Sequence, residues 1–300
     1  MTFYFAFAGP GDEAKGALGM GLPLLGGEPR EALLGAAERA GGEGCFSLWR
    51  GPAGLAGWAR ANPGNDLEGA TGRLYAELLR RVRGLNLYRI WNCVPRINGE
   101  DPLGLENYRA FCKGRSLAFE AGLGGGFKRS LPASTAVGTA GAEMTVVFLA
   151  GDQPARHFEN PLQVPAYEYP PEHGPRPPSF ARASLVERAG KLDAFVSGTS
   201  AVRGHTTVAP HDTASQLDCT LENLRLVSRA CGLGDGLGGG RAERHFKVYL
   251  RKPQDHPSVA LQVERRMLAP GDRASYLCAD ICRSELNVEI EVTVRGAERT

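Results

Sequence analysis

No uninterrupted apolar run in the 300 residues approaches the roughly 20 needed to span a bilayer as a helix. Charge of one sign is missing too. Lys plus Arg number 35 against Asp plus Glu 33, a formal +2, too balanced for a surface that holds nucleic acid or anionic lipid by bulk electrostatics. Neither nucleic acid nor a membrane is an expected partner. Lysine is scarce among the cations, which an Ala-, Gly- and Pro-rich background explains, although arginine also makes the better two-pronged contact with a carboxylate. No GxSxG elbow occurs, which leaves a serine hydrolase without a nucleophile. No GK[ST] occurs either, and the GxGxxG at Gly234, Gly236 and Gly239 follows a helix-like segment instead of a strand, so nucleotide binding is not expected.

A closed metal set is also lacking. Cys278 and Cys282 lie four apart and His205 and His211 six apart, but no second cysteine pair completes four ligands. Buried thiols are the preferred reading of the cysteines, and His157, His173, His245 and His256, each standing alone, read as surface or packing residues. No metal and no cofactor is expected. The seven cysteines (45, 93, 112, 219, 231, 278, 282) are odd in number and scattered, and no charged segment followed by an apolar core opens the chain. The expectation is reduced thiols in the cytoplasm.

What the chain does have is a globular balance, 42% hydrophobic and 23% charged residues, over a length that suits two units of about 150 residues. Leu74, Leu78, Leu79 and Val82 recur at helical spacing before Gly84 and the strand-like LNLYRIWNCVP; Leu217, Leu221, Leu224 and Val227 do the same before HFKVYLRKP. Each half has a strand-like segment ahead of its helix (CFSLWRGP, AFVSGTS) and ends in β-rich text (EMTVVFLAG, NVEIEVTVR). The order of elements predicts a repeat of two α/β (α+β) units, 1–150 and 151–300, each a mixed sheet packed with helices. Between them, residues 154–178 hold eight prolines interrupted by Phe158, Tyr167 and Tyr169, with Phe180 just beyond. Aromatic residues have little reason to sit in a solvated spacer, so an ordered loop packed on the second unit is expected.

Two segments carry candidate chemistry. Within 87–119, Arg89, Arg96, Arg109 and Arg115 alternate with Tyr88, Trp91, Tyr108 and Phe111. Arg109 and Arg115 sit among apolar residues, where partly desolvated guanidinium groups need anionic partners, and a small dicarboxylate would supply them. In the last segment, strand alternation puts Val288, Ile290 and Val292 on one face and Glu289, Glu291 and Thr293 on the other. Those acids either face water on an edge strand, or one of them faces a cleft where burial raises its pKa and makes it a proton donor. The residues alone leave both readings open.

The strings YRIWNCVPRIN, LENYRAFCKGRSLAF, FENPLQVPAYEYP, PRPPSFARA, SGTSAVRGH and ADICRSELNVEIE, in that order, resemble the chorismatase family. The closing VEIE strand and the SGT segment also resemble the Rid family, which implies a Rid-like or chorismate-mutase-like fold for the units. The resemblance implies cleavage of the enolpyruvyl ether of chorismate by protonation of its terminal methylene, without metal or redox cofactor. It implies Glu289 as the donor in preference to Glu291, and Arg109 and Arg115 as carboxylate clamps. Tyr169 and Arg182 are implied as further pocket residues, with Gly198 and Thr199 in a tight turn beside the substrate ring and Ser200 next to it, where Ala or Gly would be expected. Cys282, seven residues before Glu289, is implied as the mark of enzymes that form 3-hydroxybenzoate, with 4-hydroxybenzoate as a companion product; the alternative is hydrolysis to 3,4-dihydroxycyclohexa-1,5-diene carboxylate. Two other functions compete, a Rid-type imine deaminase, for which Arg273 sits early, and a silent module that binds small acids. Rid-like folds commonly assemble as homotrimers, and two fused units could satisfy part of that interface within one chain.

Overall fold

A computed structural model describes residues 1–9, 11–41, 44–239 and 242–298. In chain order the elements are β1 (Phe3–Ala6), β2 (Ala17–Gly19), β3 (Leu24–Gly27), β4 (Arg30–Leu34), β5 (Glu38–Ala40), β6 (Ser47–Gly51), β7 (Gly54–Ala61), α1 (Leu67–Arg81), β8 (Asn86–Pro95), α2 (Asn107–Leu123), β9 (Ala133–Thr139) and β10 (Met144–Gly151). There follow β11 (Ala155–Phe158), β12 (Ala183–Arg188), β13 (Lys191–Ser200), β14 (Val202–Arg203), β15 (Thr206–Thr207), α3 (Thr213–Ala230), β16 (Glu243–Leu250), α4 (His256–Met267), β17 (Arg273–Cys278) and β18 (Val288–Ala297).

The repeated order of elements becomes a repeated topology. One sheet runs β5-β6-β7-β10-β8-β9 and the other β11-β12-β13-β18-β16-β17 with β3 added at its edge. In each, a hairpin leads to a helix and a strand, a second helix crosses to a parallel neighbour, and the last strand returns antiparallel into the middle. The α/β class read from the sequence is therefore present as two mixed sheets of like connectivity. Because β3 pairs with β17, the first 150 residues contribute a strand to the second sheet.

The sheets stack through their inner faces. Tyr88, Trp91 and Leu149 of the first meet Val186, Phe195 and Tyr249 of the second, and the small sheet β2-β1-β4 adds Phe3, Phe5, Leu18 and Leu33 to this layer. Tyr88 stacks on Phe195 with ring centroids 6.4 Å apart. The outer faces carry the helices: α1 and α2 bury Leu74, Leu78, Phe111 and Phe119 on one sheet, and α3 and α4 bury Leu221, Leu224, Val227, Val259 and Val263 on the other. Asp66 caps α1 by accepting from the Gly69 amide, and Asp212 caps α3 by accepting from the Ala214 and Ser215 amides.

The Pro-rich segment is ordered, but it packs on both units and not on the second alone: Tyr167 lies against the core under α1 and α2, and Arg176 pairs with Glu120 of α2. Asn160 donates to Asn223 of α3, and Gln163 donates to the Val202 carbonyl. The glycine-rich run 232–239 forms turns after α3 instead of a phosphate loop, and Gly240 lies outside the described residues. Among the described residues, no helix is long and apolar enough to cross a membrane.

Candidate active site

The alternation of the last strand decides between the two readings of its acids. β18 is the central strand of the second sheet, with both edges paired to β13 and β16, and its faces are covered by α3 and α4 on one side and by the first sheet on the other. Val288, Ile290, Val292 and Val294 pack under α3 and α4. Glu289, Glu291 and Thr293 therefore point toward the first sheet, where Glu289 is 4% and Glu291 1% exposed.

The two glutamates differ in what they meet. Glu291 accepts from Trp91 Nε1 at 2.7 Å and Arg89 Nη2 at 2.8 Å, and Lys247 Nζ lies 2.5 Å from it. Burial pushes its pKa up, but Lys247 and Arg89 outweigh burial and hold it below the usual carboxylate range. Among the described residues Glu289 has no such cation. It accepts a hydrogen bond from Ser200 Oγ at 3.1 Å, and burial pushes its pKa up to about 8 despite that bond, helped by the charge of Glu291. At neutral pH Glu289 is a neutral carboxylic acid.

Glu289 lines a cavity of about 370 Å³ between the two units. The wall on the first unit comes from α2 (Tyr108, Arg109, Arg115) and β9 (Ser134, Thr135, Ala136), and the wall on the second from Tyr169, Phe180, Arg182, the end of β13 and the 282–286 loop. β9 is brought there by backbone: the Ala133 amide donates to Ser184 Oγ at 2.7 Å and the Ser134 amide to Ser197 Oγ at 2.8 Å, while Gly138 donates to the Asp280 carbonyl.

Of the residues singled out in the sequence, Glu289, Cys282, Arg109, Arg115, Tyr169, Arg182, Gly198 and Ser200 all line this cavity. Thr199 does not. It is the next residue on a strand, so its side chain leaves the cavity face, and its hydroxyl donates to the Ser197 carbonyl. The expected tight turn at 198–199 is instead a strand irregularity, a register shift between Val196 and Thr199 against β18. Gly198 is needed for a different reason than a turn: a Cβ there would collide with the Glu289 carboxyl. Its amide donates to Thr135 Oγ1 at 2.8 Å, and Thr135 in turn accepts from Arg89.

The arginines separate by environment. Arg109 is half-exposed and paired with Glu106 at 3.2 Å. Arg115 and Arg182 are 1% and 4% exposed, and neither has a carboxylate within ion-pair distance among the described residues. Aromatic faces hold them instead. Arg115 lies over Phe111 at 4.7 Å and Phe180 at 6.0 Å, and Arg182 over Phe180 at 5.0 Å with Nη2 donating to Tyr169 Oη at 2.8 Å. The Nε atoms of both are buried with no hydrogen-bond partner among the described residues. Two desolvated cations with free donors make a receptor for carboxylates.

Cys282 sits in the same wall, and burial, with the neighbouring Glu289, pushes its thiol up to about 12, so it is an S–H group. The sequence reading missed Thr135, Phe180, His173 and Arg283. Arg283 adjoins Cys282 and carries no ion pair to a described residue, and it spans the cavity edge over the Tyr169 ring at 5.6 Å. His173, read as a lone packing residue, lines the cavity because the Pro-rich segment folds it against His205. Arg273, the cation an imine deaminase would need, is exposed on β17 beside Glu243 and lies outside the cavity.

Comparison with known proteins places the chain among relatives. Residues 35–150 match the family model described as chorismatase FkbO/Hyg5-like, N-terminal. A 3-hydroxybenzoate synthase of Streptomyces hygroscopicus is 40% identical over 227 residues, 73% of this chain and 66% of that protein. A chorismatase of Streptomyces rapamycinicus is 37% identical over 255 residues, 82% of this chain and 75% of its own length. A chorismatase crystal structure superposes with a TM-score of 0.79 at 29% identity, over 97% of this chain and 91% of that one. A buried neutral acid, paired free guanidinium groups and likeness at this level over most of the chain converge: the chain belongs to the chorismatase family.

Proposed function

We propose that this protein converts chorismate into pyruvate and 3-hydroxybenzoate, with Glu289 as the proton donor. One observation carries the reading: a buried carboxyl that is neutral at pH 7 faces a cavity in which two buried guanidinium groups have no carboxylate at ion-pair distance among the described residues. Chorismate has two carboxylates for Arg115 and Arg182 and an enol ether for the acid. The Glu289 proton adds to the terminal methylene, which becomes the methyl of pyruvate, and positive charge develops at the adjacent ether carbon. The neighbouring ring hydroxyl adds to that carbon and passes its proton to the ether oxygen. The bond from the added oxygen to the ring and the bond from the ether oxygen to the former ether carbon then break, so pyruvate leaves with the added oxygen as its carbonyl. The ether oxygen stays on the ring as the 3-hydroxyl, and loss of the ring hydrogen beside it makes the ring aromatic and returns a proton to the carboxylate. The atoms of chorismate equal those of the two products, so no water is consumed, whereas the diol route takes one up. Seven free cysteines suit the reducing, cytoplasmic setting in which chorismate would be met. Incubation of purified protein with chorismate, followed by chromatography, tests the reading. Pyruvate and 3-hydroxybenzoate in equal amounts are expected, and absence of pyruvate would overturn it.

The two classes of arginine predict different losses. Arg115→Lys keeps the charge but not the fork, and losing a charge-assisted hydrogen bond costs about 1.5–3 kcal/mol, or roughly 10- to 150-fold in kcat/KM. Arg109→Lys, half-exposed and already paired, should cost less. Equal and small effects in both, with folding intact, would remove Arg115 from substrate binding.

Cys282 bears on the product. A thiol that stays protonated cannot act as a base, so its contribution is volume and a weakly polar surface beside the ring. Cys282→Ala opens that wall to water, and it should keep pyruvate release while moving part of the ring product to the non-aromatic diol. An unchanged product ratio on chromatography would take the sulfur out of the reaction.

A further inference from the structure

Glu172, His173 and His205 bring three lone-pair atoms together at the rim of the cavity, outside the chemistry assigned to Glu289. His173 Nε2 and His205 Nδ1 are 3.0 Å apart, Glu172 Oε1 is 3.3 Å from His205 Nδ1, and the same oxygen is 3.5 Å from His173 Nε2. A tetrahedral zinc ion with ligand bonds of about 2.0–2.2 Å has ligand-to-ligand edges of about 3.3–3.5 Å. The two edges to Glu172 match one face of such a tetrahedron, and the His173–His205 edge, at 3.0 Å, is slightly short of it and would open by a small ring rotation when an ion enters. A hydrogen-bonding account is less complete, since a proton on one ring nitrogen can lie along only one of the three edges. From this face we infer that Glu172, His173 and His205 bind one zinc-class divalent cation.

The backbone holds the ligands in place without help from an ion. Pro170 and Pro171 stiffen the turn that ends at His173, whose amide donates to the Pro170 carbonyl. His205 sits in the β14–β15 turn, where Gly204 takes a positive φ, donates to the Leu162 carbonyl and accepts from the Val164 amide. The ligand atoms select the class of ion, because Arg109 and Arg283 at this corner repel every divalent cation alike and a single carboxylate is too few oxygens for a hard one. Two imidazoles suit zinc or a similar borderline ion. Three protein ligands leave one position for water or an anion. The Tyr169 ring packs against both imidazoles at 5.1 and 6.3 Å, so the ion would tie the Pro-rich segment to the β14–β15 hairpin and fix the tyrosine that contacts Arg182.

The test is calorimetric titration of the full chain, stripped with chelator, with zinc chloride. One equivalent is expected to bind, and His173→Ala, His205→Ala and Glu172→Gln should each weaken binding at least about tenfold, since even the outer partners of metal ligands are worth about 10- to 100-fold. His211→Ala, a change to the other histidine of GHTTVAPHD, should bind like the wild type. Glu172 is an exposed residue on a turn, so its variant remains informative if a histidine variant unfolds. The cobalt(II) form reports the ligand type and should lack thiolate charge-transfer absorption. No saturable binding near one equivalent, unweakened binding in the histidine and Glu172 variants, or thiolate bands from one of the seven cysteines would each overturn the site.

Discussion

Glu289→Gln is expected to fold, to lose about two to four orders of magnitude in pyruvate release, and to become more stable than the wild type at alkaline pH. The rate loss is the usual worth of general acid catalysis, because the amide keeps the shape and the Ser200 contact but has no acidic proton. The stability change follows from the same carboxyl. Its pKa rises from an ordinary value of 4.5 to about 8 on folding. A carboxylic acid with a raised folded pKa contributes its full stability below 4.5. That contribution falls as pH rises toward 8, because the unfolded chain releases its proton first. Gln carries no such dependence, so the variant and wild type should melt alike at pH 4.5 and below, separate as pH rises from 4.5 to about 8, and keep a constant separation above it, with the variant higher. In the wild type, kcat/KM should fall as pH rises through about 8. Near wild-type turnover in Glu289→Gln would end the assignment, and identical melting of the two proteins both at pH 4.5 and above about 8 would show that the carboxyl is not held neutral.

Much of this site was legible in the sequence, and the illegible part has a physical cause. Alternation along VEIEVTV put Glu289 and Glu291 on one face, but whether that face met water depended on the stacking of the first sheet over it, whose Arg89 and Trp91 are 202 and 200 positions away. The difference between the two acids was invisible for the same reason: Arg89, Trp91 and Lys247 come from two other strands. Arg115 stood out as a cation in apolar text, whereas the contrast with Arg109 rests on helix facing and on Glu106. Thr135 lies in a strand whose text, ASTAVGT, shows only small residues, and nothing local says that its hydroxyl supports Gly198. α4 was missed because only Val259 and Val263 are buried along it, too few to make a helical stripe.

Lys247→Met is the substitution expected to cost most stability. Lys247, Glu31 and Glu291 are each 2% exposed or less, and Lys247 is the cation both carboxylates share, with Phe5 and Trp91 rings 5.3 Å from its ammonium. Removing one member of a buried ionic group leaves uncompensated charge and costs about 3–5 kcal/mol. For a chain of this size that is a fall in melting temperature on the order of 10 °C. The pH dependence fixes the cause. Burial pushes the Glu31 carboxyl up, but Lys247 and His245 outweigh burial and hold it down at about 2, and Glu291 is lowered as well. A carboxylate with a depressed folded pKa contributes stability above its unfolded value of about 4.5 and loses it as pH falls toward 2. Wild-type stability should therefore drop across that window. In Lys247→Met the carboxylates lose the cation that kept them ionised, burial raises their pKa values, and acid should now stabilise the protein relative to neutral pH. Glu31→Gln combined with Lys247→Met removes one stranded charge, so the double variant should be more stable than the sum of the single losses predicts. Denaturant unfolding from pH 3 to 8 on all four proteins reads each of these. A loss under about 1 kcal/mol, or strict additivity with an unchanged acid limb, would show that Lys247 does not hold the two acids together; the Arg89 side of Glu291 would then have to account for the depressed carboxylates and for the alignment of Thr135 with Gly198 beside Glu289.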